Sequence, residues 1–190
     1  MSGAVQDRAT AGEDVIDILL RQHGRIRELF GDVKTADGEH KKQAFDELRA
    51  LLAVHETAEE MILRPVSATV AGEAIAEARN KEEHEANHVL AELEKMDVTS
   101  ADFDREFAEF EKAVELHAQN EESQEFPKVR DGVDADRRTR MGTALKAAES
   151  IAPTHPHPST AGSPAAQWLV GPFASIVDRT KDALKKATSG

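Results

Sequence analysis

The chain has 190 residues, a formal charge of −12, no cysteine, no tyrosine and a single tryptophan. That length suits one domain of ordinary size with an appendage, and the acidic balance opposes a nucleic-acid partner, whose affinity comes from clustered Lys and Arg. Without cysteine there are no disulfides and no thiolate zinc or iron–sulfur ligation, so any metal must be held by His, Asp and Glu.

Residues 1–12 contain no apolar signal core and no stretch of the chain reaches membrane-spanning length, which predicts a disordered N-terminus on a soluble, cytoplasmic protein. The first helix is expected from about Glu13 to Val33, where Ile16, Leu19, His23, Ile26 and Phe30 recur at steps of three and four. The second runs from about Glu39 to Arg64, with Leu48, Leu52, His55, Glu59 and Ile62 in the same rhythm and Pro65 as its limit. The third spans about Gly72 to Met96 and has the least regular wheel. Its His84/His88 face carries Ala74 and Ala91, but also Glu77, Asn80, Lys81 and Asn87. The fourth, about Ala101 to Lys128, shows a sustained stripe of Phe103, Phe107, Phe110, Val114, His117 and Glu121.

Residues 13–130 therefore predict an all-α domain of four helices. A short helical extension over 131–150 and a Pro-rich linker over 151–166 follow, and an amphipathic C-terminal helical tail over 167–190 carries Trp168, Phe173, Ile176 and Leu184. The tail is expected to fold back on the bundle, or to pair with a second copy or a protein partner.

One phrase occurs twice: His55 opens HETAEEMILRP and His117 opens HAQNEESQEFP, each reading His-x3-Glu-Glu-x4-Pro. A histidine and a carboxylate four residues apart share a helix face, so each copy offers a nitrogen and an oxygen ligand to one point. Glu59 and Glu121 lie in register with their histidines. Glu60 and Glu122 are turned by about a hundred degrees and face an interface, face solvent, or orient a ligand. Buried His and Glu without partners would be costly, so His23, His55, Glu59, His84, His88, His117 and Glu121, spread over four helices, are best explained by a shared cation. His40 lies in a polar run, and His155 and His157 belong to the linker.

The succession His23, His55-x3-Glu59, His84-x3-His88 and His117-x3-Glu121 resembles the hemerythrin-like, or HHE cation-binding, domain over residues 13 to 130. The resemblance implies an up-down-up-down four-helix bundle around two iron ions, a non-heme di-iron centre with an oxo or hydroxo bridge. It assigns the five histidines as terminal ligands, with Glu59 and Glu121 bridging. Oxygen-carrying members have an aspartate five residues after the last histidine, where this chain has Glu121 at four and Glu122 at five. Such a ligand set fills about eleven of twelve positions on two six-coordinate irons and leaves one for dioxygen, peroxide or nitric oxide. The expected function is binding, sensing or storage of such a ligand; the alternatives are an enzyme consuming peroxide or nitric oxide, and iron sequestration.

Overall fold

The computed structural model describes residues 12–151 and 173–188. Its helices are α1 (Val15–Thr35), α2 (Gly38–Ala58), α3 (Arg64–Val70), α4 (Glu73–Leu93), α5 (Ala101–Asn120), α6 (Phe126–Gly132), α7 (Ala135–Ile151) and α8 (Phe173–Thr188), and the described residues include no strand. α2 runs into α3, and α5 into α6, through five-residue π-helical turns at Glu59–Leu63 and Glu121–Glu125. The bundle is thus built of four antiparallel rods: α1, α2–α3, α4 and α5–α6.

The rods start where the sequence supplies caps. Asp14 accepts from the Ile16 amide at 2.9 Å, and Ser100 accepts from the Phe103 amide at 3.1 Å. Gly72 separates α3 from α4 at φ +102°, a conformation that side chains with a Cβ rarely adopt.

Pro65 does not end the second rod, contrary to its expected role as a limit. Proline lacks the N–H that would bond the carbonyl four residues back, and the chain meets this by widening the preceding turn instead of breaking it. The Arg64 amide then bonds the carbonyl of Glu59, five residues back, and the Phe126 amide bonds that of Glu121 in the same way.

Two apolar clusters fill the bundle. One is built around Phe30, Phe45, Leu48, Leu52, Leu90, Phe103, Phe107 and Phe110; the other joins Ile16, Leu19, Leu63, Phe126 and Val129 to Met141 and Leu145 of α7. Between them lies a buried polar layer containing His23, His55, Glu59, Arg64, His117, Glu121 and Glu125. α7 packs on α1, and α8 lies against α2 and α7. From α8, Ile176 joins the first cluster and Lys181 pairs with Glu60 at 2.6 Å. α8 therefore packs on its own bundle. The linker, with His155 and His157, and Trp168 to Val170 lie outside the described residues. Among the described residues no helix is long and apolar enough to cross a membrane.

Candidate metal centre

The polar layer is organised by its histidines. His23 Nδ1 lies 2.8 Å from Glu122 Oε1, His55 Nδ1 2.8 Å from Gln22 Oε1, and His117 Nδ1 3.0 Å from Glu82 Oε2. Each of these oxygens only accepts, and the Gln22 amide is oriented by its own donation to Glu149 at 2.7 Å. Nδ1 must therefore be the donor on each ring, and in the neutral rings the Nε2 lone pairs face the centre of the bundle.

Those lone pairs converge. His23 Nε2 and His55 Nε2 are 3.1 Å apart, a repulsive approach unless a proton or a cation lies between them. His55 Nε2 is 3.4 Å from Glu59 Oε1, and His23 Nε2 is 3.3 Å from Glu121 Oε2. Both oxygens are buried and have no hydrogen-bond partner among the described residues. His23, His55, Glu59 and Glu121 thus present four ligand atoms to one point. A cation there would satisfy two orphaned oxygens and relieve the opposed lone pairs.

The other oxygens of the same two glutamates turn to a second point. His117 Nε2 stands 3.8 Å from Glu59 Oε2, 3.3 Å from Glu121 Oε1 and 3.7 Å from Glu83 Oε1. Glu59, Glu83, His117 and Glu121 form this second group of candidate ligands. Glu59 and Glu121 belong to both groups, each with one oxygen in either.

Protonation compensates for charge in this layer. Burial, with the charge of Glu121 beside it, raises the Glu59 carboxyl to about 8. Burial also works to raise Glu121, but His117, His23 and Arg64 overcome it and hold Glu121 well below the usual carboxylate range. Burial, then Glu59, lifts Glu83 to about 8. His117 is held up to about 12 against burial by Glu121 and Glu59, whereas burial and the nearby His23 push His55 well down. The fully buried carboxylates carry their charge only beside positive partners.

His84 and His88 are not brought into the centre. Both are exposed on α4, where their Nε2 atoms lie 3.1 Å from one another. The buried stripe of α4 is Ala76, Arg79, Ala86, Leu90 and Leu93, and Glu83 continues that line toward the centre. A register one residue away from the expected one turns the helix by about 100° and exchanges two histidines for one carboxylate. The spacing back from Leu93 and Leu90 carries this signal. Arg64, Glu125 and Glu56 also escaped the sequence reading. Arg64, five residues after Glu59, reaches the layer through the π-helical turn.

Glu122 orients His23, whereas Glu60 faces Lys181. Beside the centre lies a cavity of about 520 Å³, lined by Ile26, Phe30, Leu52, Ala86 and Val114 together with His23, His55, Glu83 and His117. Arg27 bonds Glu115 at 2.7 Å and Glu122 at 3.0 Å, which straps α1 to the α5–α6 rod along that side.

A family model for the hemerythrin HHE cation binding domain matches residues 14–129. An uncharacterised hemerythrin-like protein of Schizosaccharomyces pombe is 22% identical over 176 residues, covering 90% of this chain and 87% of that protein. A DNA nickase of Nostoc is 25% identical over 155 residues, covering 78% of this chain but only 44% of that protein. The crystal structure of a hemerythrin HHE cation binding domain-containing protein from Mycobacterium kansasii matches with a TM-score of 0.68 at 18% identity, covering 92% of this chain and 99% of that one. At that identity the likeness is one of fold.

Proposed function

The chain belongs to the hemerythrin HHE cation-binding family, and on that premise we propose that it holds two iron ions and uses them to consume peroxide. The observation that carries this reading is the pair of carboxylates with one oxygen in each ligand group, of which Glu59 Oε1 and Glu121 Oε2 are buried without partners. His23 and His55 would complete one position and Glu83 and His117 the other, with Glu59 and Glu121 available to both. Three imidazoles and three carboxylates make a more oxygen-rich set than five histidines and two glutamates. Oxygen-rich sets of this kind characterise the redox-active carboxylate-bridged centres of helix bundles. Bound iron would supply Lewis acidity and electrons for a small oxidant.

The protein's own groups prepare the rest. Gln22, Glu82 and Glu122 fix the imidazoles so that ligand geometry is set before anything binds. The apolar wall of Ile26, Phe30 and Leu52 limits water on one side. Glu56 lines the same cavity; burial raises its carboxyl to about 8, and Asn87 donates to Glu56 Oε2 at 2.8 Å. Glu56 therefore holds a proton near neutral pH where an incoming oxidant would need one.

The apolar cavity favours a second reading, reversible binding of dioxygen. One experiment separates the two: load the protein anaerobically with ferrous iron, measure iron per chain, and follow its absorption and the oxygen evolved on adding peroxide. Two irons with oxygen evolution over many turnovers are expected. A reversible air-dependent absorption band with no turnover would replace this reading by the second. Absence of bound iron would sink both.

A further inference from the structure

Arg64 is the unexpected member of the polar layer. Its guanidinium is buried, and Nη2 lies 3.4 Å from Glu59 Oε2 and 3.2 Å from Glu121 Oε1, with a further short contact to Glu83 Oε1. These oxygens are the three that face His117 Nε2 in the second ligand group. One nitrogen of an arginine thus stands among the carboxylate oxygens of the second position. A metal ion bound at about 2 Å from those oxygens would overlap it.

The arginine has both an anchor and somewhere to go. Nη1 is held by both oxygens of Glu125, at 2.9 and 2.7 Å, and Glu125 belongs to neither ligand group. Behind it lies a cleft of about 280 Å³, lined by Arg64 itself and by Glu60, Glu73 and Glu77. The first position, by contrast, holds no basic side chain among the described residues other than its two imidazoles, and Glu59 Oε1 and Glu121 Oε2 have no hydrogen-bond partner among them.

We propose that Arg64 is an internal cation occupying the second metal position, so that the two ions load in order. The first enters between His23, His55, Glu59 and Glu121; the second must turn Nη2 off Glu59, Glu83 and Glu121 toward the acidic cleft. A fixed positive charge among buried carboxylates keeps the half-loaded protein from collapsing or from gathering stray cations, and it makes the second ion the weaker one. The inference rests on the two-position reading of the centre.

The test is anaerobic titration calorimetry with ferrous iron on the full chain and on Arg64→Met, with bound iron counted after desalting and the melting curve of each metal-free protein recorded. The native protein should bind in two separate steps. In R64M the second step should tighten by about tenfold or more while the first moves little. Arg64→Lys, which keeps a charge with a shorter reach, should restore part of the separation. Because R64M leaves Glu125 buried without its partner, the double variant Arg64→Met/Glu125→Gln repeats the comparison should R64M fold poorly. A second step that stays put or weakens in the folded variants would overturn the inference while leaving the two-ion centre standing. Failure of the native protein and the variants alike to take up iron would remove the centre itself.

Discussion

At the scale of single residues, the centre is defined by what each polar atom lacks. Two Nε2 lone pairs 3.1 Å apart and two buried oxygens without hydrogen-bond donors among the described residues form a group that could hold a cation. Proposed membership of that site is tested by counting. Glu83→Ala should lower iron from two ions per chain to about one, and His117→Ala or Glu59→Ala should release at least one, measured by plasma mass spectrometry after desalting. His84→Ala and His88→Ala should keep both ions, as should His155→Ala and His157→Ala. Loss of an ion in H84A but not in E83A would return the third helix to the register expected from the sequence. The burial of His23, His55 and His117 is legible because each continues a stripe of large apolar residues. On α4 the stripe is marked mostly by alanines and an arginine, so the His-x3-His spacing outweighed a weaker but correct apolar line.

At the scale of elements, both copies of the repeated phrase fold into the same device: an α-helix, a π-helical turn opening at the first glutamate, then a proline within the first turn of the next helix. The wide turn brings Arg64, five residues after Glu59, into hydrogen-bond reach of that glutamate. A second constraint lies where α7 crosses the start of α1. A Cβ on Gly142 would overlap the carbonyl oxygen of Glu13 and stand 3.1 Å from the Val15 nitrogen. Alanine is favoured over glycine inside a helix by about 1 kcal/mol, but backbone cannot give way as a flexible side chain can. Gly142→Ala should therefore destabilise the protein by about 1–3 kcal/mol in denaturant unfolding. Unchanged or increased stability would show that α7 is not held tightly against α1.

At the scale of the whole molecule, two apolar clusters enclose a layer of charge, and stability without metal must depend on how that charge is compensated. Glu56, Glu59 and Glu83 are raised to about 8 and His117 to about 12. A group raised in the folded state stabilises it fully below its unfolded value and loses that contribution as pH climbs through the folded one. His55, pushed down by burial, works in the opposite sense, and its contribution is lost as pH falls below about 6.5. Between pH 6.5 and 8.5 the raised groups all act in one direction. The metal-free protein should therefore melt roughly 5 °C lower at pH 8.5 than at pH 6.5, and iron should flatten that dependence. A metal-free protein more stable at the higher pH would contradict the charge compensation described for this layer.

The sequence by itself determined the helical bundle, the positions of its four rods and the doubled His-x3-Glu pattern, because apolar period and helix-face spacing are local properties that survive any packing. Only the tertiary structure decided that Glu83 rather than His84 and His88 faces the centre, that Arg64 and Glu125 enter it, and that α8 covers its own bundle. Those outcomes depend on the rotation of one helix against three others and on a turn widened by a single residue. The free energy that selects them comes from burying charge beside its partners, and those partners are distant in the chain.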